Sequence, residues 1–104
     1  MEYDQIEKIM LSYGLKKHEI SAGTNFTYVK GNKHRVILER LRPLINGGVR
    51  GFLYAVVLDE YKNSCSKNGH INIKNINSES ELRSIVERVI GCLEKKLDKP
   101  VVHL

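Results

Sequence analysis

The apolar residues near the start of the chain are spaced as on one face of a short amphipathic helix. They recur at intervals of three and four positions: Tyr3, Ile6, Ile9, Met10 and Tyr13. Asp4 and Glu7 are spaced as a capping pair for its first turn, and Gly14 is suited to end it. We therefore expect the chain to open with a helix that buries one side.

The middle of the chain alternates in the manner of β-strands. Gly31-Asn32 provides the positive φ angles of a two-residue hairpin turn, and Arg42-Pro43 is expected to end the strand that follows it. Residues 52–59 are apolar on both faces, which predicts the central strand of a sheet. The predicted strands are residues 24–30, 33–41, 52–59 and 71–74, while residues 15–20 fit either a charged edge strand or a loop.

The final helix has the clearest periodicity in the sequence. Its apolar stripe comprises Leu82, Ile85, Val86, Val89, Ile90, Leu93 and Leu97. Ser78 and Glu81 have the spacing of a capping box just before this stripe. Pro100 cannot continue a helix, so residues 98–104 are predicted to form a C-terminal tail.

These elements predict one α+β domain over residues 1–104, in the order α-β-β-β-β-α. The sheet is expected to be antiparallel, with four strands, or five if residues 15–20 pair. Both helices should pack on one face of it. The opposite face must then meet solvent, a partner or a second copy of the chain, so a homodimer is one expectation.

Composition excludes several classes of protein. The chain has 104 residues, of which 41% are hydrophobic and 28% charged, as is ordinary for a globular domain. Its longest apolar run, residues 52–58, is far shorter than the ~20 residues that span a bilayer. The acidic start of the chain is unlike a signal peptide, and Cys65 and Cys92 do not form a disulfide framework. We expect a cytoplasmic protein with reduced thiols and no membrane partner.

The positive charge is concentrated in one stretch of the chain. Residues 13–50 carry a formal charge of +6, against −2 for residues 1–12 and +1 for residues 51–104. A localised basic surface attracts polyanions such as nucleic acid, whereas an ordinary solvated surface is the plainer interpretation. The clustering of the charge is an argument for a surface that binds polyanions.

An aromatic–aromatic–basic row lies within this stretch. Phe26, Tyr28 and Lys30 alternate along one predicted strand and so project from the same face. Such a row is typical of platforms that stack the bases of single-stranded nucleic acid, although a core face beneath the helices is the stronger interpretation of the two rings. The predicted nucleic-acid contacts are Lys16, Lys17, Phe26, Tyr28, Lys30, Lys33, Arg35, Arg40, Arg42 and Arg50.

Catalytic and metal-binding patterns are weak. The His and Cys residues lack the spacing of zinc ligands, and no serine lies in a nucleophile elbow. Residues 47–51 could place backbone amides and Arg50 around a phosphate, but a hairpin loop is the simpler interpretation. Glu60 and Lys62 form an E-x-K pair like that of some metal-dependent nucleases, without the required upstream acid. We predict no catalytic residue, metal ligand or cofactor.

Three functions remain, in order of preference. The first is a non-enzymatic protein that binds DNA or RNA, single- or double-stranded, through residues 13–50. The second is a protein–protein module, such as an inhibitor, adaptor or immunity-type protein, that uses the uncovered face of the sheet. The third is the E-x-K nuclease.

Overall fold

The structure, a computed structural model, describes residues 1–98, with side-chain surroundings as far as Lys95. It confirms the predicted α+β class: one antiparallel sheet of five strands, in the order β1-β2-β3-β4-β5, with a helix at each end of the chain. The elements are α1 (Tyr3–Ser12), β1 (Lys16–Ile20), β2 (Gly23–Lys30), β3 (Lys33–Pro43), β4 (Val49–Tyr54), β5 (His70–Asn72) and α2 (Glu79–Asp98). Single turns of 3₁₀-helix lie at Lys62–Ser64 and Ile73–Asn75.

One face of the sheet forms the core. Phe26, Leu38, Leu53 and Ile71 lie directly opposite one another on successive strands from β2 to β5. All four are buried beneath the apolar sides of the helices, which contribute residues such as Ile6 and Val86. Burial of apolar side chains such as these is the main favourable term in folding, since stabilisation scales with the apolar area removed from water.

Tyrosine hydroxyls link the helices to each other and to the sheet. Tyr3 bonds Thr24 of β2 at 2.9 Å, and Tyr13 of α1 donates to the Glu87 carboxylate of α2 at 3.0 Å. These contacts place both helices on the face that carries Phe26, because Thr24 and Phe26 alternate along one strand.

The two helix starts differ in how well the sequence predicted them. At α2 the Ser78 hydroxyl accepts the Glu81 N–H at 3.2 Å, as expected of a capping box, while the Glu81 carboxylate accepts from Asn77. The capping pair predicted for α1 is wrong. That helix starts after Glu2 without a side-chain cap, and Glu7 instead pairs with a lysine of β1.

Several strand boundaries also differ from the predictions. Residues 15–20 do contain a strand, β1, at one edge of the sheet. Strand β3 ends at Arg42-Pro43 as predicted, but it includes both residues, because a bulge before Arg42 restores the pairing with β4. The predicted central strand at 52–59 ends at Tyr54, and β3 is the central strand.

The segment after β4 explains the misleading apolar pattern. Residues 55–58 form a turn in which the Leu58 N–H donates to the Ala55 carbonyl, and both side chains are buried. Apolar positions on both faces here reflect a buried turn, not a strand covered on both sides. Asp98 is the last residue of α2, and the remainder of the predicted tail, residues 99–104, lies outside the described residues.

Candidate functional site

The open face is the side of the sheet that points away from α1 and α2. In β4, Leu53 points into the core, so its neighbours Phe52 and Tyr54 project to the open face. Across from them, Glu39 of β3 is opposite Phe52, and His70 of β5 is opposite Tyr54. The strands thus place two aromatic rings side by side on this face, Phe52 partly exposed and Tyr54 buried.

Three arginines lie over these rings. The guanidinium carbons of Arg40 and Arg50 are 4.6 and 5.7 Å from the centroid of the Phe52 ring. That of Arg35 is 4.8 Å from the centroid of Tyr54. We call these five residues the arginine–aromatic cluster. Because a cation over an aromatic face is held by the ring quadrupole, each ring fixes the position of a positive charge at the surface.

The backbone that carries Arg40 is unusual. Arg40 has a φ of 54°, in the left-handed region, and its N–H donates to the Asn25 side-chain oxygen at 2.9 Å. Gly23 makes room for this bulge, since a Cβ there would lie 2.7 Å from the Arg40 carbonyl carbon. Left-handed backbone is unfavourable for a residue with a side chain, so neighbouring groups must hold it in place.

Acidic groups are scarce on this face. Glu39 is the only acid among the described strand residues that project there, and its carboxylate bonds Arg40 at 3.1 Å. Lys16 of β1 and Arg42 of β3 add further positive charge, as judged from the alternation of their strands. The open face of the sheet therefore carries a clear excess of cations.

His70 lies at the edge of the cluster. Its ring makes an edge-on contact with Tyr54, with centroids 6.0 Å apart. Burial lowers its pKa below the ordinary value of 6.5; Arg40 and Arg35 lower the pKa further, while Glu39 opposes them. The imidazole is thus biased towards its neutral form by the same charges that make the face basic.

Four of the ten predicted contact residues lie on this face by the register of their strands: Lys16, Arg40, Arg42 and Arg50. A fifth, Arg35, is opposite Tyr28 in the strand register and joins the cluster through its guanidinium group over Tyr54.

The aromatic row predicted on β2 does not form a surface platform. Phe26 is completely buried, so its assignment as a base-stacking residue is wrong; it is the core residue that the alternative interpretation described. Tyr28 is half-buried on the helix side, and its hydroxyl donates to Glu94 of α2 at 3.4 Å. The alternation of β2 sends these rings to the helices and leaves Asn25 and Thr27 on the open face.

The three remaining predicted lysines also lie elsewhere. Lys17 is on the helix side, where its ammonium is 2.9 Å from the Glu7 carboxylate. Lys30 and Lys33 are opposite each other at the hairpin between β2 and β3. None of the three belongs to the arginine–aromatic cluster.

Sequence reasoning missed Phe52, Tyr54 and His70. The signal for the first two was present, because they alternate with buried Gly51 and Leu53 along β4. The apolar turn after β4 obscured this alternation, because the strand and the turn together have the pattern of one strand buried on both faces. Nothing local in the sequence indicates that His70 lies opposite Tyr54.

The E-x-K pair is not at the end of a strand. Glu60 and Lys62 follow a turn, several residues after β4 ends, and Glu60 forms an ion pair with Arg88 of α2. Among the side chains of residues 1–95, no three His, Cys, Asp or Glu come together as metal ligands. Residues 47 and 48 lie in the β3–β4 loop and Arg50 in β4, as the hairpin interpretation expects.

The chain matches no protein-family model, no curated protein and no solved structure. Among its described helices, none is both long and apolar enough to cross a membrane. The candidate site must therefore be interpreted from its own geometry.

Proposed function

We propose that this protein binds nucleic acid through the open face of its sheet, using the arginine–aromatic cluster to contact phosphate groups. The observation that carries the proposal is the placement of Arg35, Arg40 and Arg50 over Phe52 and Tyr54. Arginine is the side chain best suited to phosphate, because its planar fork donates two parallel hydrogen bonds.

The arrangement favours contact with the phosphate backbone over base stacking. Phe52 has one arginine within 5 Å and a second within 6 Å of its ring centre, and Tyr54 is only 8% exposed. Rings covered in this way cannot offer free faces to bases as a single-strand platform does. Their role is to hold the guanidinium groups, whose outward N–H donors then fit the regularly spaced charges of a nucleic-acid backbone.

Binding should weaken steeply as salt rises, because every neutralised phosphate releases counterions. We would measure fluorescence anisotropy of labelled single- and double-stranded DNA and RNA between about 50 and about 200 mM salt. Arg40→Ala and Arg50→Ala should each weaken binding to all sequences and reduce the salt slope by about one. No detectable binding of any of the four probes at low salt would refute the proposal.

Arg83 provides a matched control on the helix side. Its guanidinium also lies over a ring, 5.8 Å from the centroid of Tyr13, and bonds an acid, Glu79, at 2.8 Å. Its side chain is 40% exposed, against 44% for Arg40. Arg83→Ala therefore removes the same charge from a similar setting, and it should change binding much less than Arg40→Ala does. Equal losses would mean that net charge alone drives association.

The alternative function is a protein–protein module that uses the same face, with an acidic partner or a second copy of the chain. The edge strand β1 favours self-association, because all five of its residues are exposed. Lys16 and Lys17 on that edge oppose it, since charged edge residues discourage pairing between sheets. Light scattering at micromolar concentration tests the second copy: a dimer would favour the alternative, and a monomer would leave it only an acidic protein partner.

A further inference from the structure

The loop between β3 and β4 carries the most exposed apolar side chain among the described residues. Ile45 is fully exposed, with a relative accessibility of 109%, and Leu44 beside it is 37% exposed. Both lie at the end of a hairpin whose strands reach from the middle of the sheet. A large aliphatic side chain held wholly in water contributes no burial to folding, so it remains available to be buried against another molecule.

This loop is held in one shape by its own hydrogen bonds. The Leu44 N–H donates to the Gly48 carbonyl at 2.7 Å, and the Gly47 N–H donates back to the Leu44 carbonyl at 3.1 Å. The Asn46 side-chain oxygen accepts the Gly48 N–H at 3.1 Å. Pro43 limits rotation where the loop begins. Ile45 is thus presented on an ordered tip, which reduces the entropy lost when it inserts into a partner.

The stem of the hairpin is basic. Arg42 and Arg50 lie directly opposite each other on the two strands that lead to the tip. Like charges in this position repel, and an anion placed between or beside them removes the repulsion. Arg50 also belongs to the arginine–aromatic cluster, so the stem continues the surface that we propose to bind phosphate.

We propose that this hairpin is a wedge for double-stranded nucleic acid, in which Ile45 inserts at a base step while Arg42 and Arg50 contact the flanking phosphates. Apolar wedges of this kind unstack neighbouring bases and bend the duplex by about 20–90°. The inference rests on the proposed function and adds to it that the preferred substrate is a duplex. A basic stem with an apolar tip also suits an anionic membrane, but continuity with the arginine–aromatic cluster favours nucleic acid.

The test uses a duplex with 2-aminopurine next to a central TA step, a step that unstacks readily. Donor and acceptor dyes at the two ends report bending. The wild-type protein should raise 2-aminopurine fluorescence and shorten the distance between the ends. Ile45→Ser should abolish both signals and lower affinity roughly tenfold, while leaving the salt slope unchanged, because no charge is removed.

Leu11→Ser is the matched control, since Leu11 is 44% exposed on α1, away from the hairpin. It should behave as wild type. If wild type and Ile45→Ser bind the duplex equally and give the same signals, the wedge is refuted and the proposed function stands. If the wild type binds no nucleic acid, both fail. Binding to vesicles containing phosphatidylglycerol that Ile45→Ser abolishes, without any change in duplex bending, would identify the tip as a membrane anchor and overturn the wedge.

Discussion

Arg40 lies over the ring of Phe52, its guanidinium carbon 4.6 Å from the ring centre, although its backbone is in the left-handed region with a φ of 54°. No other described non-glycine residue has a positive φ. Glycine would meet the backbone requirement without strain, yet it could not supply the cation. The sequence thus has an arginine at a position where the backbone conformation favours glycine. This indicates that the Arg40 side chain is needed for its contacts at the surface of the sheet.

Replacement of Arg40 should separate backbone strain from side-chain function. Arg40→Ala and Arg40→Gly both remove the guanidinium group, but only alanine keeps a Cβ in the left-handed conformation. We expect the glycine variant to be more stable than the alanine variant by about 1 kcal/mol in urea unfolding. Both should bind nucleic acid equally weakly.

Arg50 is the control for this comparison, because its φ is not positive and it lies within β4. There the order should reverse, with Arg50→Ala more stable than Arg50→Gly by about 0.5–1 kcal/mol, since glycine loses more conformational freedom on folding. If alanine were the more stable replacement at both positions, the strained bulge at Arg40 would be contradicted.

The charges around His70 predict opposite effects of two substitutions on its pKa. Arg35→Gln should raise the pKa of His70 and Glu39→Gln should lower it, because the arginine disfavours the imidazolium and the carboxylate favours it. NMR titration of the imidazole carbons measures both. Since the folded-state pKa is lowered below 6.5, the unfolded chain binds the proton more tightly, and stability should fall as pH drops from 6.5 through the folded-state pKa.

Nucleic-acid binding should also change the pKa of His70. A polyanion over Arg35 and Arg40 offsets their positive charge, so the pKa of His70 should rise in the complex. A pKa that is unchanged when saturating oligonucleotide is added would place the bound phosphates away from this part of the open face.

Local patterns sufficed for the fold because its elements are amphipathic or bounded by strong turn signals. The stripe of α2 follows from helical periodicity, and Gly31 adopts a positive φ of 59° in the predicted hairpin turn, although Asn32, predicted to do the same, does not. The end of β4 could not be predicted in this way. Its apolar run continues into residues 55–58, and whether such a run stays extended or turns depends on tertiary packing.

Only the arginines of the candidate site could be predicted from the sequence, and the reason is related. Charge clustering selected Arg35, Arg40 and Arg50, since formal charge does not depend on the fold. The rings beneath them depend on which sheet face the helices cover, and a one-residue change of alternation exchanges the faces. The bulge at Arg40, which brings its guanidinium over Phe52, requires Asn25 and Gly23 from another strand and leaves no local pattern.

The ion pair between Glu7 and Lys17 should make stability depend on pH on the acidic side. The hydrogen bond and charge of Lys17 hold the pKa of Glu7 below its ordinary value of 4.5 despite opposing burial. A lowered carboxyl pKa contributes stability that is present above the unfolded-state pKa and is lost as pH falls through the folded-state pKa. Glu7→Gln should therefore reduce the free energy of unfolding at pH 7, with a difference that shrinks below pH 4.5.

Glu19→Gln is the control for that titration, because Glu19 is also near Lys17, at 3.6 Å, but its side chain is 74% exposed. An exposed pair is screened by solvent, so this change should affect stability less than Glu7→Gln does at pH 7. If the Glu7→Gln difference persisted undiminished at low pH, the ion pair would not be its source.

Glu60 and Lys62 should not support nuclease activity. Glu60 is committed to an ion pair with Arg88, and its side chain remains 51% exposed, unlike a carboxylate held in a magnesium site. A metal site would also need further ligands beside it, and among the side chains of residues 1–95 no three His, Cys, Asp or Glu come together. We expect no cleavage of DNA or RNA by the wild-type protein in magnesium or manganese.

The cleavage assay includes Glu60→Ala and Lys62→Ala beside the wild type. Cleavage that both substitutions abolish would establish the E-x-K nuclease in place of the binding function. Cleavage that survives both would point to a contaminant or to another site. Because the Glu60–Arg88 pair is exposed, Glu60→Ala should leave the urea midpoint nearly unchanged, so any loss of activity in that variant could not be attributed to unfolding.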